Sequence, residues 1–206
     1  MRSWPSWSDR AAALGAAALV LLAPARLAAQ SGDMPPAGFG TLRQDQIAVR
    51  LSTDNLAVRA LPLDERIIRM LSPDAYRSLH ELALSRAADI ALAAQGAGHD
   101  SLVAFLVTFF GLQPQVRFNP DQVYVSSQNR LFRPVGILPL TPGWSEYQVD
   151  QRQQAVAIYL FEPGVDVLRP FQVSYGTVTA DSWDSALRVI DAERARVRSR
   201  ARPGQP

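Results

Sequence analysis

Two stretches of this chain are apolar on both parities over the full length of a strand: Leu102–Phe110 reads LVAFLVTFF and Ala155–Phe161 reads AVAIYLF. Successive side chains of a strand point to opposite faces, so such runs must be covered on both sides. Each is far shorter than the roughly 20 residues of a membrane-spanning helix. Both predict central strands of a sheet packed on each face, and any fold for this chain has to be built around them.

The flanking segments are one-sided. Phe171, Val173 and Tyr175 alternate with Gln172 and Ser174, which is a strand with one wet face. Gln122 to Ser126 reads as a short strand. Leu131 to Leu140 reads as another, and Pro134 and Pro139 confine it to an edge or break it. Further upstream, Ile47, Val49 and Leu51 share one face, as do Leu56, Val58 and Ala60. Ser52-Thr53-Asp54-Asn55 between them is turn chemistry, predicting an N-terminal hairpin with a four-residue loop. In that register Leu51 faces Leu56 and Val49 faces Val58, and Arg50 and Arg59 form a diagonal pair on the opposite, solvated face.

Helical spacing interrupts the strands. Asp64 is placed to cap a short helix with Ile67, Ile68 and Leu71 on its apolar side. Ser72-Pro73-Asp74 opens a longer one, about 73–95, with Tyr76, Leu79, Leu82, Ala87 and Ile90 at helical spacing and Gly96 as its stop. Its Ala-rich second half predicts close packing against a neighbour. A last segment from Ser182 to about Arg200 is helical, docked by its first two turns through Trp183, Leu187 and Ile190 and fraying beyond them into a basic tail. The fold expected is mainly β with added helices (α+β): an immunoglobulin-like antiparallel β-sandwich with an N-terminal hairpin, a helical insertion at about 64–95 and a C-terminal helix.

The first thirty residues carry export logic. Arg2 and Arg10 precede 13 apolar residues, Ala11–Ala23, and small residues follow at Ala28 and Ala29. Cleavage is expected near Ala29/Gln30, leaving a secreted or periplasmic protein with no transmembrane helix in the mature chain. The organisation expected is a signal peptide over 1–30, a flexible Gly/Pro-rich linker over 31–45, one β-rich domain over 46–187 and a basic helix end and tail over 188–206.

Composition then removes whole chemistries. The chain has no Cys, and all 21 of its basic residues are Arg. Thiol nucleophiles, disulfides and Cys-based metal sites are excluded, as are Schiff-base lysines and the P-loop Lys. Charge is uneven. The signal takes three Arg and one acid with it, leaving 18 against 18. Residues 31–187 carry a local −4, and the chain from Arg188 onward a local +4.

Two His remain. His80 lies on the long helix at the edge of its apolar stripe, and neighbouring Glu81 points elsewhere, so a packed or solvated helix residue is preferred over a ligand. His99-Asp100-Ser101 is a polar loop entering a strand, because a working triad converges from separate segments. Gly143-Trp144-Ser145-Glu146-Tyr147 lacks the second Gly of a nucleophile elbow. Asp181-Ser182-Trp183-Asp184 lacks the Gly of a calcium loop and reads as a helix cap. Gly38-Phe39-Gly40 is no dinucleotide fingerprint. No catalytic, cofactor-binding or metal residue is therefore assigned, and no cofactor is expected.

What remains are contact candidates. Trp144 and Tyr147 stand on a Pro/Gly loop, where Trp144 either meets a ligand or folds back as a lid on the core. Arg194, Arg196, Arg198 and Arg200 are the heart of the basic end: a solvated helix end whose Arg suit the dipole is preferred, and phosphates of an anionic membrane surface are the alternative; without interleaved aromatics, nucleic acid is not expected. Three functions stay open: a non-enzymatic binding or protein-interaction module of the cell envelope, which is preferred; a carboxylate-dependent hydrolase using Glu146, Asp150 or Glu162; and an anionic-membrane binder using the tail.

Overall fold

The two doubly apolar runs lie inside a five-stranded antiparallel sheet in the computed structural model, which describes residues 34–202. The expected signal over 1–30, its cleavage near Ala29/Gln30, the first linker residues and the last four residues of the tail lie outside the described residues. In spatial order the sheet runs β1 (Val49–Ser52), β2 (Leu56–Pro62), β3 (Val103–Gly111), β9 (Gln154–Phe161) and β7 (Pro134–Pro139). The run beginning at Leu102 is β3, flanked by β2 and β9, and Ala155–Phe161 is β9, flanked by β3 and β7. A second antiparallel sheet runs β11 (Val178–Ala180), β10 (Phe171–Tyr175), β5 (Val123–Ser127) and β6 (Arg130–Phe132). A two-stranded pair joins β4 (Val116–Arg117) to β8 (Gln148–Val149).

Side chains from both larger sheets meet in one core. Phe105 of β3 packs edge-on against Phe161 of β9 and Phe171 of β10, each at 5.5 Å between centroids. Four residues along β3, Phe109 meets Tyr175 of β10 at 5.6 Å and stacks on Phe118 at 4.5 Å. Fully burying an aromatic of this kind stabilises by about 1.5–3 kcal/mol, and the edge-on geometry adds to that. The segment read as an edge or broken strand is both. Its two halves, β6 and β7, belong to different sheets and are separated only by Arg133. Pro134 sits at the irregularity where β7 joins β9, the position a residue without an N–H tolerates.

The hairpin β1–β2 forms in another register than expected. Leu51 faces Val58 and Val49 faces Ala60, which puts Arg50 directly opposite Arg59 rather than diagonal to it. The cause is Thr53. Its N–H donates to the Leu56 carbonyl at 2.8 Å and its hydroxyl bonds Leu56 as well, so the loop shrinks to Asp54-Asn55.

The helical insertion comprises α1 (Glu65–Ile68), α2 (Pro73–Ser85) and α3 (Ala87–Gly96). Asp64 caps α1 as read, its carboxylate accepting from the Arg66 N–H at 2.8 Å. The single helix expected over 73–95 is broken at Arg86, whose backbone leaves helical geometry at φ −110° and ψ 6°. Just before the break the Ser85 hydroxyl donates to the Leu82 carbonyl at 2.8 Å, drawing it from the helical ladder. The left-handed residue that closes α3 is Gly98, at φ +74°, not Gly96.

The Gly/Pro-rich segment from Pro35 to Leu42 behaves differently from a linker: it is held along the body. Leu42 is buried and bridges to Leu71, and a Cβ on Gly40 would fall 2.3 Å from the Met70 carbonyl group, so only Gly fits there. The last helix, α4 (Trp183–Arg200), does not fray after two turns. Glu193 and Val197, in its third and fourth turns, are fully buried.

Candidate functional site

Three places bring chemically useful groups together, and they differ in what they offer a partner. The first is the helix pair α2–α3. Leu79 and Ala94 are buried against the body, with Leu82, Ile90 and Ala93 packed beside them. A Cβ on Gly136 of β7 would meet the Ala93 methyl at 3.7 Å, which marks how closely α3 lies on that edge strand. The Ala-rich face expected to pack against a neighbour is otherwise bare. Leu84 is 60% exposed and Leu92 70% exposed, and Ala87, Ala88 and Ala91 are exposed as well. Leu84 lies in the last turn of α2 and Leu92 on α3, whose one charged residue is Asp89; side chains so exposed are apolar surface that water covers poorly.

At the foot of α2, Glu65 organises a network that local reading had missed. His80 Nδ1 lies 2.6 Å from one Glu65 carboxylate oxygen; the other accepts from Arg69 Nε at 2.6 Å and from the Tyr76 hydroxyl at 3.3 Å. The His80 ring stacks on Tyr76 at 5.2 Å. Burial pushes the Glu65 carboxyl up, and the bonds from Arg69 and His80 more than offset this, holding it below the usual carboxylate range. Arg69 also donates to the Pro35 carbonyl at 3.0 Å. The sequence signal for this group was Glu65 at the start of α1, four residues before Arg69; its pairing with His80, fifteen residues on, needs the tertiary fold.

The second place is the loop carrying Trp144 and Tyr147. Gly143 at φ +76° and Tyr147 at φ +51° bracket a single turn of 3-10 helix, Trp144–Glu146. This fold-back sends Trp144 inward, as a lid: it is 8% exposed, 5.1 Å from the Phe118 ring and 5.9 Å from that of Phe109. Tyr147 faces out at 45% exposure, on the rim of a shallow cleft with Arg117, Phe118 and Asp121. On the other side of the same loop, Glu146 and Asp150 line a cleft of about 170 Å³ with Thr141 and Gln153. One Asp150 oxygen is already taken by the Gln115 N–H at 3.1 Å. Glu162, the third candidate acid, is not among the residues lining it.

The third place is the basic end of α4, and here the guanidiniums turn toward their own chain. Glu193 is 0% exposed and accepts from the Thr41 N–H at 3.0 Å, the Thr41 hydroxyl at 2.8 Å and Arg200 Nη1 at 2.7 Å; Arg196 approaches at 3.4 Å. Arg200 also donates to the Phe39 carbonyl at 2.7 Å, and Arg194 pairs with Asp191 at 2.5 Å. Burial raises the Glu193 carboxyl, and the bonds from Arg200 and Thr41 outweigh that and hold it low. Arg198, on the same helix, is also engaged. Of the basic candidates, Arg194, Arg196 and Arg200 thus spend their charge on neighbouring carboxylates instead of projecting as a free cationic stripe.

Among the described residues no group of three or more His, Asp or Glu converges as a metal site would require, and no helix is long and apolar enough to cross a membrane. No protein-family model matches this chain, and no curated protein or solved structure shows significant similarity to it.

Proposed function

We propose that this chain is a non-enzymatic protein-interaction module of the cell envelope, exported by its first thirty residues and acting in the periplasm or outside the cell. The observation that carries the reading is the bare apolar face of α2–α3, with Leu84 and Leu92 mostly in water. Such a face costs solubility and contributes little to the core, so a partner that covers it accounts for its composition. The framework is proposed to be an immunoglobulin-like sandwich, on the support of the Phe105–Phe171 and Phe109–Tyr175 contacts between the sheets. The strand that changes sheets at Arg133 makes one corner of the framework continuous.

The test replaces both leucines, Leu84→Glu with Leu92→Glu, and reads complex formation by photo-cross-linking from position 88 in the envelope of the producing cell. Loss of the cross-linked species with an unchanged thermal midpoint is the expected outcome. Cross-linking that survives the double substitution would remove this face from the account. Sedimentation velocity of the purified chain separates a foreign partner from a second copy of itself.

A second reading has one observation in its favour: Glu146 and Asp150 share a cleft. A carboxylate-dependent hydrolase would need both acids at work, so Glu146→Gln would abolish turnover of glycosides in an activity screen. A wild-type chain inert toward the whole panel ends that reading. The anionic-membrane reading draws less support, since Arg194, Arg196 and Arg200 already have carboxylate partners and Arg198 is engaged as well.

A further inference from the structure

The hairpin register sets two guanidiniums face to face on the outer side of the five-stranded sheet. Directly opposite residues share a face, so Arg50 of β1, Arg59 of β2 and Thr108 of β3 form one row across it. On one side of that row Leu61 and Leu106 are buried. On the other, Ser52, Ala57 and Phe110 open toward water, with Phe110 38% exposed. Arg59 stands half-buried at the line where the cover of the sheet ends.

Nothing among the described residues neutralises this row. Arg59 has no hydrogen bond and no ion pair there, and its neighbour on β3 is the uncharged Thr108. The one acid that acts on it is Asp45, whose two oxygens are taken by Arg43 at 3.1 and 3.4 Å and which lies 3.8 Å from Arg50. Three guanidiniums against one carboxylate leave a local +2, in a stretch, residues 31–187, that carries −4 as a whole. Opposed side chains on neighbouring strands stand about 5 Å apart at Cβ, where like charges destabilise. The Arg59 guanidinium is accordingly held below its ordinary value by burial first and by Arg50 second. Long charged side chains leave the surface only when something pairs them, so an unpaired, half-buried Arg beside another Arg asks for an anion from outside the chain.

We propose that Arg50 and Arg59 form a binding site for an organic phosphate monoester, whose phosphoryl group bridges the two guanidiniums and whose organic part lies over Phe110 and Ala57. Such a group carries about −1.5 to −2 at neutral pH, which matches the local +2, and its oxygens accept from Arg forks two at a time. A carboxylate brings one negative charge and leaves half of the excess in place. Inorganic phosphate meets the charges but leaves the Phe110 ring in water. The site shares no residue with the bare face of α2–α3 and does not depend on the role proposed for that face.

Calorimetric titration of the purified full chain with phenyl phosphate, and separately with inorganic phosphate, sulfate and benzoate, tests this. Saturable binding of phenyl phosphate is expected, with inorganic phosphate weaker and benzoate weaker still. Arg59→Gln should weaken phenyl phosphate binding by about tenfold or more. Phe110→Ala should weaken it by about threefold and leave inorganic phosphate unchanged. Phenyl phosphate should also raise the thermal midpoint of the unmodified chain and not that of Arg50→Thr. Both Arg substitutions relieve a repulsion, so they keep the fold, which far-ultraviolet circular dichroism verifies. The proposal is overturned by no phenyl phosphate binding at millimolar concentration, by binding that neither Arg substitution changes, or by an equal response to all four anions that vanishes in moderate salt, as a diffuse cationic surface would give.

Discussion

Glu65 keeps 30% of its side chain in water and Glu193 keeps none, yet the two are wired alike. Each carboxylate holds an Arg, and each of those Arg donates to a backbone carbonyl of the segment that enters the domain: Arg69 to Pro35, Arg200 to Phe39. The segment is therefore clamped from two sides, by the helical insertion and by the last helix. What differs is the medium. Around Glu65 water screens the charges, and the net worth of such a pair is small. Around Glu193 the charge has lost its hydration, and its hydrogen bonds have to replace that. The same bonding plan is thus close to optional in one place and structural in the other.

Removing the buried member is the severest way to break this comparison. Glu193→Ala should cost about 3 kcal/mol, near the low end for breaking a buried pair because the Arg200 head reaches solvent, and urea denaturation reads it directly. A cost below the exposed case would mean that burial of the carboxylate is not what matters. Acid offers a gentler handle. Both carboxyls are held below their ordinary range in the folded state, so their contribution is complete above the unfolded value of about 4.3 and fades as pH falls through the folded values. Their contribution to stability should therefore be flat from neutral pH down to about 5 and drop below that. In Glu193→Gln the drop should be shallower, and an unchanged slope would contradict the assignment.

Glu65→Gln should cost only about 1 kcal/mol, with part of even that loss disappearing in concentrated salt, whereas the Glu193 contribution should resist salt. The smallest effect belongs to a guanidinium that faces another. Burial and the opposed Arg50 both push Arg59 down from its ordinary value. Arg50→Thr should raise stability by about 0.5 kcal/mol, measured as an upward shift in the denaturation midpoint. A loss instead would show that the ion pair of Arg50 with Asp45 at 3.8 Å outweighs the repulsion.

Sequence reading succeeded where a pattern is local. The both-faces-apolar runs placed β3 and β9 inside a sheet, Pro134 and Pro139 bound the edge strand that follows the break at Arg133, and Asp64 capped its helix, because each depends on residues within one element. It failed where a bond reaches out of the element. Thr53 could be seen as a turn residue, but its bond to Leu56 moves the register by two residues and puts Arg50 opposite Arg59. The break at Arg86 comes beside a Ser85 hydroxyl bonded to the Leu82 carbonyl, which leaves no mark in the periodicity. The short strands β4, β8 and β11 carry too few residues for an alternation to register. Among the contact candidates, Trp144 could be read either way, and only the left-handed Gly143 and Tyr147 show which way the loop folds. In the sequence Glu193 is one of only two acids within the basic end; its role depends on Thr41, 152 residues earlier.

That separation has a consequence for assembly. The bonds joining Thr41 and Phe39 to α4 close almost the whole length of the described chain into a single loop, so they are the last that a chain emerging from its N-terminal end can make. Until α4 appears, the Pro35–Leu42 segment is held by Arg69 and by the bonds of Leu42 to Met70 and Ser72. The two ends of the described body are also left side by side, which suits circular permutation: a version opened at the exposed Asp54-Asn55 turn and joined between its old ends would have its clamp residues brought together by a short tether. Such a chain would be expected to fold faster than its parent while keeping the same core.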